Sequence, residues 1–250
     1  MTTDRCAQPV PPAEPPVIQV AGVSKSFGER RVLRDISFQV PRGRVVGLLG
    51  RNGAGKTTLM KSLLGTATVD SGTVEIFGAA PGPEHAHRVG VAMDGIGFFP
   101  AATVQRELTI WARALGVPAS RTAEVIDLVE LRGHERQRCA RLSTGQKQRL
   151  RLATALLVPT VELLMLDEPA NGLDPDGIRW IRRFIRNMAV SGKTVLVSSH
   201  QLGEMENTVD DVLLLDRGRI VHTGSLHEFT AGGRFPLEER FFEVVEGAAA

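Results

Sequence analysis

Residues 50–57 have the spacing that proteins use to hold the phosphate groups of a nucleotide. They read G-R-N-G-A-G-K-T and fit the pattern G-x-x-x-x-G-K-[ST]. Glycines in such a loop allow backbone N–H groups to surround phosphate oxygens, and the positive end of a following helix adds to the attraction. Lys56 would reach the β- and γ-phosphates, and the hydroxyl of Thr57 would bind Mg²⁺. The alternative, a glycine turn with a chance lysine, is disfavoured by the later motifs.

Two acidic residues, Asp167 and Glu168, follow a run at residues 161–166 that is apolar except for Glu162. If that run is a buried strand, the carboxylate of Asp167 emerges at the carboxyl edge of a sheet, where a hard oxygen ligand can hold Mg²⁺. Glu168 points differently and could orient or deprotonate a water molecule. A solvated turn is the other interpretation of such a pair, but the buried run before it and Pro169 after it weigh against that.

Two further segments carry groups that could act on a phosphate. Ser143 and Gly145 lie at the start of a predicted helix, whose positive end favours an anion. His200 follows another apolar run at residues 194–197. From its position alone, His200 is a helix-capping or core histidine.

Apolar runs that read as buried strands alternate with helix-compatible segments along most of the chain. Strand-like character is found at residues 17–27, 32–40, 45–49, 73–77, 89–93, 161–166, 194–197 and 211–215. Helices are predicted at residues 56–64, 103–115, 120–131, 142–157, 175–190 and 202–208, with Ser120 as a possible cap. This alternation predicts an α/β fold with a largely parallel sheet. After residue 226 we expect a short helix and then a fraying end.

Taken in order, these motifs resemble those of the ATP-binding subunit of ABC transporters, and the likeness covers about residues 17–230. The chain has the family's Walker A loop (50–57), an acidic form of its Q-loop at Asp94, its signature L-S-T-G-Q (142–146), its Walker B strand (163–168), a D-loop (171–174) and a switch histidine, His200. The phosphate loop alone indicates only a nucleotide. The signature just upstream of L-L-M-L-D-E-P makes the resemblance specific.

The resemblance implies a fold and a domain organisation. The fold is an α/β P-loop NTPase (RecA-like) core with a parallel sheet, an N-terminal antiparallel β-subdomain and an inserted α-helical subdomain. We expect the nucleotide-binding domain at residues 17–230, with the helical subdomain at about 95–158. Residues 1–16, which carry five prolines, are expected to be a disordered tail, and residues 231–250 a C-terminal tail.

The resemblance also assigns roles to residues, with ATP and Mg²⁺ as cofactors. The residues implied in ATP binding are Phe27, Gly50, Asn52, Gly53, Ala54, Gly55, Lys56, Thr57, Thr58, Ser143, Gly145 and Gln146. Catalytic roles fall to Glu168, His200 and Asp94, and metal binding to Thr57, Asp167 and Asp94. A lone phenylalanine such as Phe27 is more often a core or edge residue, and only the resemblance favours a ring stacked on adenine.

Two positions depart from the common family pattern. Thr144 stands where many members have glycine, and a small polar residue should be tolerated there. Asp94 stands where the family usually has glutamine, which resembles exporters of the bacitracin and lantibiotic-resistance type, since these often carry glutamate. A one-residue error of alignment in a loop is the alternative interpretation of Asp94.

The partners follow from the same resemblance. In the family, the helix that begins at the signature contacts the γ-phosphate of ATP held by the other subunit, which implies a head-to-tail homodimer with two shared sites. ATP then joins the two copies, and hydrolysis separates them. The second implied partner is a separate membrane permease, more in keeping with an exporter. The expected location is cytoplasmic, on the inner face of the membrane.

Composition limits the other function classes. A net charge of +2, from 30 basic and 28 acidic residues, gives no case for a nucleic-acid partner. The apolar runs are far shorter than the ~18 to 20 residues of a membrane span, and the first residues lack the apolar stretch of a signal peptide. Cys6 and Cys139 are expected to be free thiols in a reducing cytosol.

Three other functions remain to be weighed. An ABC-type ATPase acting on DNA or ribosomes is the main alternative, although such relatives usually pair two domains or carry large insertions. A P-loop kinase or GTPase would lack the segment 142–146, and a GTPase would carry an N-K-x-D motif. A regulatory subunit that binds ATP without turnover is disfavoured because Lys56, Asp167, Glu168 and His200 are all present.

Overall fold

A computed structural model of the chain, which describes residues 15–93, 95 and 97–247, consists of two sheets with helices packed around them. The strands are β1 (Ile18–Phe27), β2 (Arg30–Val40), β3 (Val45–Leu49), β4 (Ser71–Ile76), β5 (Val89–Ala92), β6 (Leu163–Asp167), β7 (Thr194–Ser199), β8 (Asp211–Asp216) and β9 (Arg219–Ser225). The α-helices are α1 (Lys56–Leu63), α2 (Val104–Ala114), α3 (Arg121–Leu128), α4 (Thr144–Ala155), α5 (Pro175–Val190), α6 (Leu202–Glu206), α7 (Leu226–Phe229) and α8 (Leu237–Gly247).

The larger sheet has six strands in the order β5-β6-β7-β3-β8-β9. The first five are parallel to one another, and β9 pairs with β8 in the antiparallel direction at one edge. Because parallel strands point the same way, the loops that follow β3, β5, β6 and β7 all leave from one edge of the sheet. The predicted α/β class with a mostly parallel sheet is confirmed.

The smaller sheet, in the order β2-β1-β4, is antiparallel. Its hairpin turns at Gly28, whose φ of 59° lies in the left-handed region that glycine adopts without strain. This sheet covers one face of the parallel sheet together with α1. The predicted N-terminal antiparallel layer is confirmed.

Side chains on the parallel strands alternate between two hydrophobic cores. In β3, Val46 and Leu48 pack toward the antiparallel sheet and α1, whereas Val45 and Leu49 pack toward the helical layer that contains α5. All four are at most 1% exposed. Burial on both faces explains why β3, β6 and β7 are continuous apolar runs in the sequence.

Helices α2, α3 and α4 lie between β5 and β6 in the chain, within the segment predicted as helical. Helix α3 is shorter than predicted: the chain leaves the helix after Leu128, and Glu130 adopts a left-handed φ of 56°. The prediction that Ser120 caps this helix is wrong. Ser120 itself has helical backbone angles, and its side chain makes no cap hydrogen bond.

The segment expected to be a C-terminal tail contains helix α8. Leu237, Phe241 and Val245 form one face of this helix and are each at most 3% exposed. They pack into the core that also holds Met205 of α6. Within the described residues the chain therefore stays folded to Gly247.

Cys139 is a buried free thiol, and burial raises its pKa. Among the described helices, none combines the length and the apolar character that crossing a membrane requires.

Candidate functional site

The glycine-rich loop joins the end of β3 to the start of α1. A Cβ atom at Gly50 would lie 2.3 Å from the carbonyl oxygen of Leu215, so the loop can approach β8 this closely only with glycine. Gly53 and Gly55 have φ angles of 80° and 113°, which side-chain-bearing residues rarely adopt. Gly55 at the N-cap of α1 has no side chain that could cap the first turn. Such a helix end attracts phosphate.

Lys56 is buried under this loop, with 6% exposure. Its Nζ donates to the carbonyl oxygen of Gly50 at 2.8 Å and to that of Arg51 at 3.4 Å. The same Nζ lies 3.1 Å from Oε1 of Glu168. The ammonium group is therefore held beside the loop and next to a carboxylate.

Asp167 is the last residue of β6, and both of its carboxylate oxygens have partners. Thr57 Oγ1 donates to Oδ2 at 2.9 Å, and Ser198 Oγ donates to Oδ1 at 2.5 Å. Thr57 lies in the first turn of α1, and Ser198 lies opposite Asp167 in the register between β7 and β6. Strands β6 and β7 and the helix that follows the phosphate loop are therefore linked through the carboxylate of Asp167.

Glu168 comes directly after β6 in a left-handed conformation, with a φ of 49°. Its Oε2 lies 2.7 Å from Nδ1 of His200 and accepts from the backbone N–H of His200 at 3.3 Å. His200 follows β7, the strand next to β6. The carboxylate of Glu168 therefore lies between Lys56 and His200.

Lys56, Thr57, Glu168 and His200 line one open cleft with a volume of about 590 Å³. The lining residues are Phe27, Arg30, Val32, Asn52, Gly53, Gly55, Lys56, Thr57, Thr58, Glu168, Asn171 and His200. Phe27 is 55% exposed, and Lys25 Nζ lies 5.2 Å from the centre of its ring. An exposed aromatic ring at the side of a phosphate-binding cleft is suited to stacking on a base.

Five residues predicted to bind ATP do not line this cleft, and three of them, Ser143, Gly145 and Gln146, lie on a different part of the chain. They lie at the start of α4, where Ser143 Oγ accepts from the N–H of Gln146 at 3.2 Å and Gln146 Oε1 accepts from the N–H of Ser143 at 3.0 Å. A Cβ atom at Gly145 would meet only Leu173, at 4.0 Å, and Ser143 is exposed. The helix start is thus accessible from outside the chain.

Three other predicted residues among those described are absent from the cleft lining: Gly50, Ala54 and Asp167. Gly50 and Ala54 belong to the loop, and Ala54 is buried. Asp94, predicted to act in catalysis and metal binding, lies outside the described residues.

The oxygen atoms near the phosphate loop fit Mg²⁺. Thr57 Oγ1 and Asp167 Oδ2, which are 2.9 Å apart, are the hard ligands that Mg²⁺ prefers, and this ion is usually held by one or two protein groups together with phosphates and water. In the described part of the chain no three His, Cys, Asp or Glu side chains form a metal-binding group. The donor set therefore suits a metal that arrives with a nucleotide.

Sequence reasoning missed four residues of the site. Ser198 contacts Asp167, and Arg30, Val32 and Asn171 line the cleft. Asn171 lies in the predicted D-loop, which was a usable signal. Ser198 gave none, because its role depends on β7 lying beside β6.

A family model described as "ABC transporter" matches residues 33–171. The chain is similar to the bacitracin transport ATP-binding protein BcrA of Enterococcus faecalis, with 38% identity over 94% of this chain and 76% of that protein. It is also similar to the Nod factor export ATP-binding protein I of Ralstonia nicotianae, with 37% identity over 85% of this chain and 68% of that protein.

The fold is likewise similar to a solved structure described as the ATP-binding subunit of an ABC transporter. The two structures superpose with a TM-score of 0.80 and 26% identity, over 91% of this chain and 99% of the other.

Proposed function

The chain belongs to the ABC transporter family of ATP-binding subunits, and from this premise we propose that it powers export through a separate membrane permease. As a member of that family it is an ATPase that converts ATP to ADP and phosphate. The observation that carries the proposal is the position of Glu168, held between Lys56 and His200 at the edge of the phosphate cleft.

The residues of the cleft have separate roles in ATP hydrolysis. The loop amides and Lys56 bind the phosphates, and Phe27 stacks on the adenine. Glu168 orients the attacking water and accepts its proton, while His200 fixes the carboxylate and contacts the γ-phosphate. Thr57 and Asp167 would hold Mg²⁺, which would neutralise phosphate charge. Catalysis of this kind rests on positioning and charge stabilisation.

A homodimer completes each site. Ser143 and Gly145 lie at the start of a 12-residue helix, outside the cleft of their own chain. This arrangement supports a head-to-tail pair in which that helix end meets the γ-phosphate held by the second copy. ATP then joins the copies, and its hydrolysis releases them.

The descriptions of the relatives support export as the direction of transport, but they do not narrow the chemical class of the cargo. One is described as a bacitracin transport protein and another as a Nod factor export protein. A drug, antibiotic, peptide or lipid-like cargo, recognised by the permease, is consistent with both. The proposed location is the inner face of the membrane, through that permease.

The proposal is tested by expressing the chain with a multi-span membrane protein encoded beside its gene. We expect the two to purify together from membranes, and the complex to hydrolyse ATP only with Mg²⁺. A Glu168→Gln complex should assemble and lose hydrolysis. ATPase activity that is stimulated by nucleic acid or ribosomes, with no binding to the membrane protein, would favour the alternative function.

A further inference from the structure

Ser198 is a fully buried hydroxyl that links the two acidic residues of the cleft. It lies near the carboxyl end of β7, is 0% exposed, and stands opposite Asp167 in the register of β6 and β7. Its Oγ donates to Oδ1 of Asp167 at 2.5 Å and accepts from the backbone N–H of Glu168 at 3.0 Å. The hydroxyl therefore donates its hydrogen to the side chain of Asp167 and accepts a hydrogen bond from the backbone of Glu168.

These two bonds act on different features of the acidic pair. With Oδ1 of Asp167 bound to Ser198, the other oxygen, Oδ2, faces Thr57 of the phosphate loop. The bond to the N–H of Glu168 restrains a backbone that turns into the left-handed region directly after the strand. Such a conformation persists only where surrounding contacts maintain it.

We propose that Ser198 is a positioning residue for ATP hydrolysis. Its hydroxyl keeps Asp167 turned toward the metal-binding side of the phosphate loop while it fixes the backbone turn that directs Glu168 toward His200. One side chain thus sets the relative placement of the metal-binding carboxylate and the catalytic carboxylate. This inference rests on the proposed function of the cleft.

The proposal predicts which measurements change when the hydroxyl is removed. Ser198→Ala leaves the phosphate loop and Lys56 intact, so nucleotide binding in EDTA should stay within about twofold of the wild type. The gain in affinity that Mg²⁺ provides should fall by roughly tenfold or more, because groups that orient a metal ligand typically have effects of that size. The maximal rate of hydrolysis should fall by a similar factor, on the order of tenfold, and KM for Mg²⁺-ATP should rise in step with the weaker binding.

Ser199 offers a matched control on the same strand. It is also buried, at 3% exposure, but its Oγ bonds with the backbone of Gln201 and with neither acidic residue. Ser199→Ala therefore deletes the same atom one residue further along. Ser198→Thr keeps the hydroxyl, and Ser198→Cys replaces it with a weaker donor.

The experiment uses the purified full-length chain and a fluorescent non-hydrolysable ATP analogue, titrated in EDTA and in Mg²⁺, beside steady-state hydrolysis. We expect losses for Ser198→Ala, smaller losses for Ser198→Cys, and near wild-type behaviour for Ser199→Ala and Ser198→Thr. If Ser198→Ala does not fold, as judged by thermal melting without nucleotide, the cysteine variant carries the comparison.

Two results would overturn the inference. One is a Ser198→Ala or Ser198→Cys protein in which Mg²⁺ increases the affinity for nucleotide as much as in the wild type and the rate of hydrolysis is unchanged. The other is an equal loss in Ser199→Ala, which would indicate general damage to β7. Failure of the proposed function would look different, since the wild type itself would then show no Mg²⁺-dependent hydrolysis sensitive to Glu168→Gln.

Discussion

The carboxylate of Glu168 lies 2.7 Å from Nδ1 of His200, and its other oxygen lies 3.1 Å from Nζ of Lys56. The side chain is mostly buried, with 18% exposure. A carboxylate held at both oxygens has a defined direction, which a group that orients a water molecule requires.

Glu168→Gln should lower the rate of ATP hydrolysis by at least about a hundredfold, the scale at which general bases contribute. The amide keeps the shape of the side chain but cannot accept the proton of water. ATP binding, measured by equilibrium titration, should persist because the loop and Lys56 are unchanged. Glu239→Gln, on an exposed part of α8, is the control and should hydrolyse normally. Hydrolysis near the wild-type rate in Glu168→Gln would assign the base to another residue.

Phe27→Ala should weaken ATP binding by about tenfold, since stacking of a base on an aromatic ring contributes roughly 1–3 kcal/mol. Phe27→Trp should bind ATP about as tightly as the wild type, because tryptophan also offers an aromatic ring. Phe99 is similarly exposed, at 59% against 55%, but does not line the cleft, so Phe99→Ala should bind ATP as the wild type does. Equal affinities of all four proteins, measured by calorimetry, would argue against a role for Phe27.

The lowered pKa of His222 predicts that the folded chain becomes less stable in mild acid. Burial lowers its pKa, Arg240 lowers it further and Glu228 opposes them, so folding favours the neutral form of the ring. It lies against Phe229, with ring centroids 4.4 Å apart. Because the folded pKa is below the unfolded value of about 6.5, its contribution is complete above that pH and is lost as the pH falls through and below it.

Urea unfolding between pH 8 and pH 5 measures this effect. His222→Gln should reduce the dependence of the unfolding free energy on pH, since glutamine does not titrate in this range. The control is His227→Gln, at an exposed position on α7, which should keep the wild-type dependence. An unchanged slope in His222→Gln would contradict the prediction.

The C-terminal helix α8 should be part of the folded core. Phe241→Ala should lower the free energy of unfolding by about 3–5 kcal/mol, as expected for a buried phenylalanine. Its neighbour Phe242 is 37% exposed and lies over Arg51, 5.5 Å from the guanidinium carbon, so Phe242→Ala should cost much less. Similar unfolding curves for the two variants would mean that α8 adds little to stability.

Much of the site could be predicted because its motifs are continuous in the chain. The loop at 50–57 carries its own glycines and lysine, and each of Asp167 and His200 follows an apolar run that became a buried strand. Since parallel strands end at one edge, these local patterns were enough to predict that the residues would meet.

The remaining features depend on contacts between distant segments. Ser198 reaches Asp167 only because β7 lies next to β6, and no local pattern distinguishes it from Ser199. Helix α8 has a visible stripe at Leu237, Phe241 and Val245, but the stripe lies after two glycines in the segment 231–250, which the sequence predicts to be a C-terminal tail. Burial against α6 stabilises the helix there.

The central claim is that two copies share each nucleotide, and the mass of the Glu168→Gln protein measured by light scattering tests it most directly. With ATP we predict twice the chain mass of 27.0 kDa, and with ADP a single chain. Gly145→Asp should still bind ATP but stay monomeric, because a Cβ atom there meets nothing in its own chain closer than 4.0 Å and, in the proposed dimer, the new carboxylate would repel the phosphate held by the second copy. Gly247→Asp, also in open space, is the control and should dimerise. A Glu168→Gln protein that is saturated with ATP and remains strictly monomeric, with and without its permease, would contradict the account.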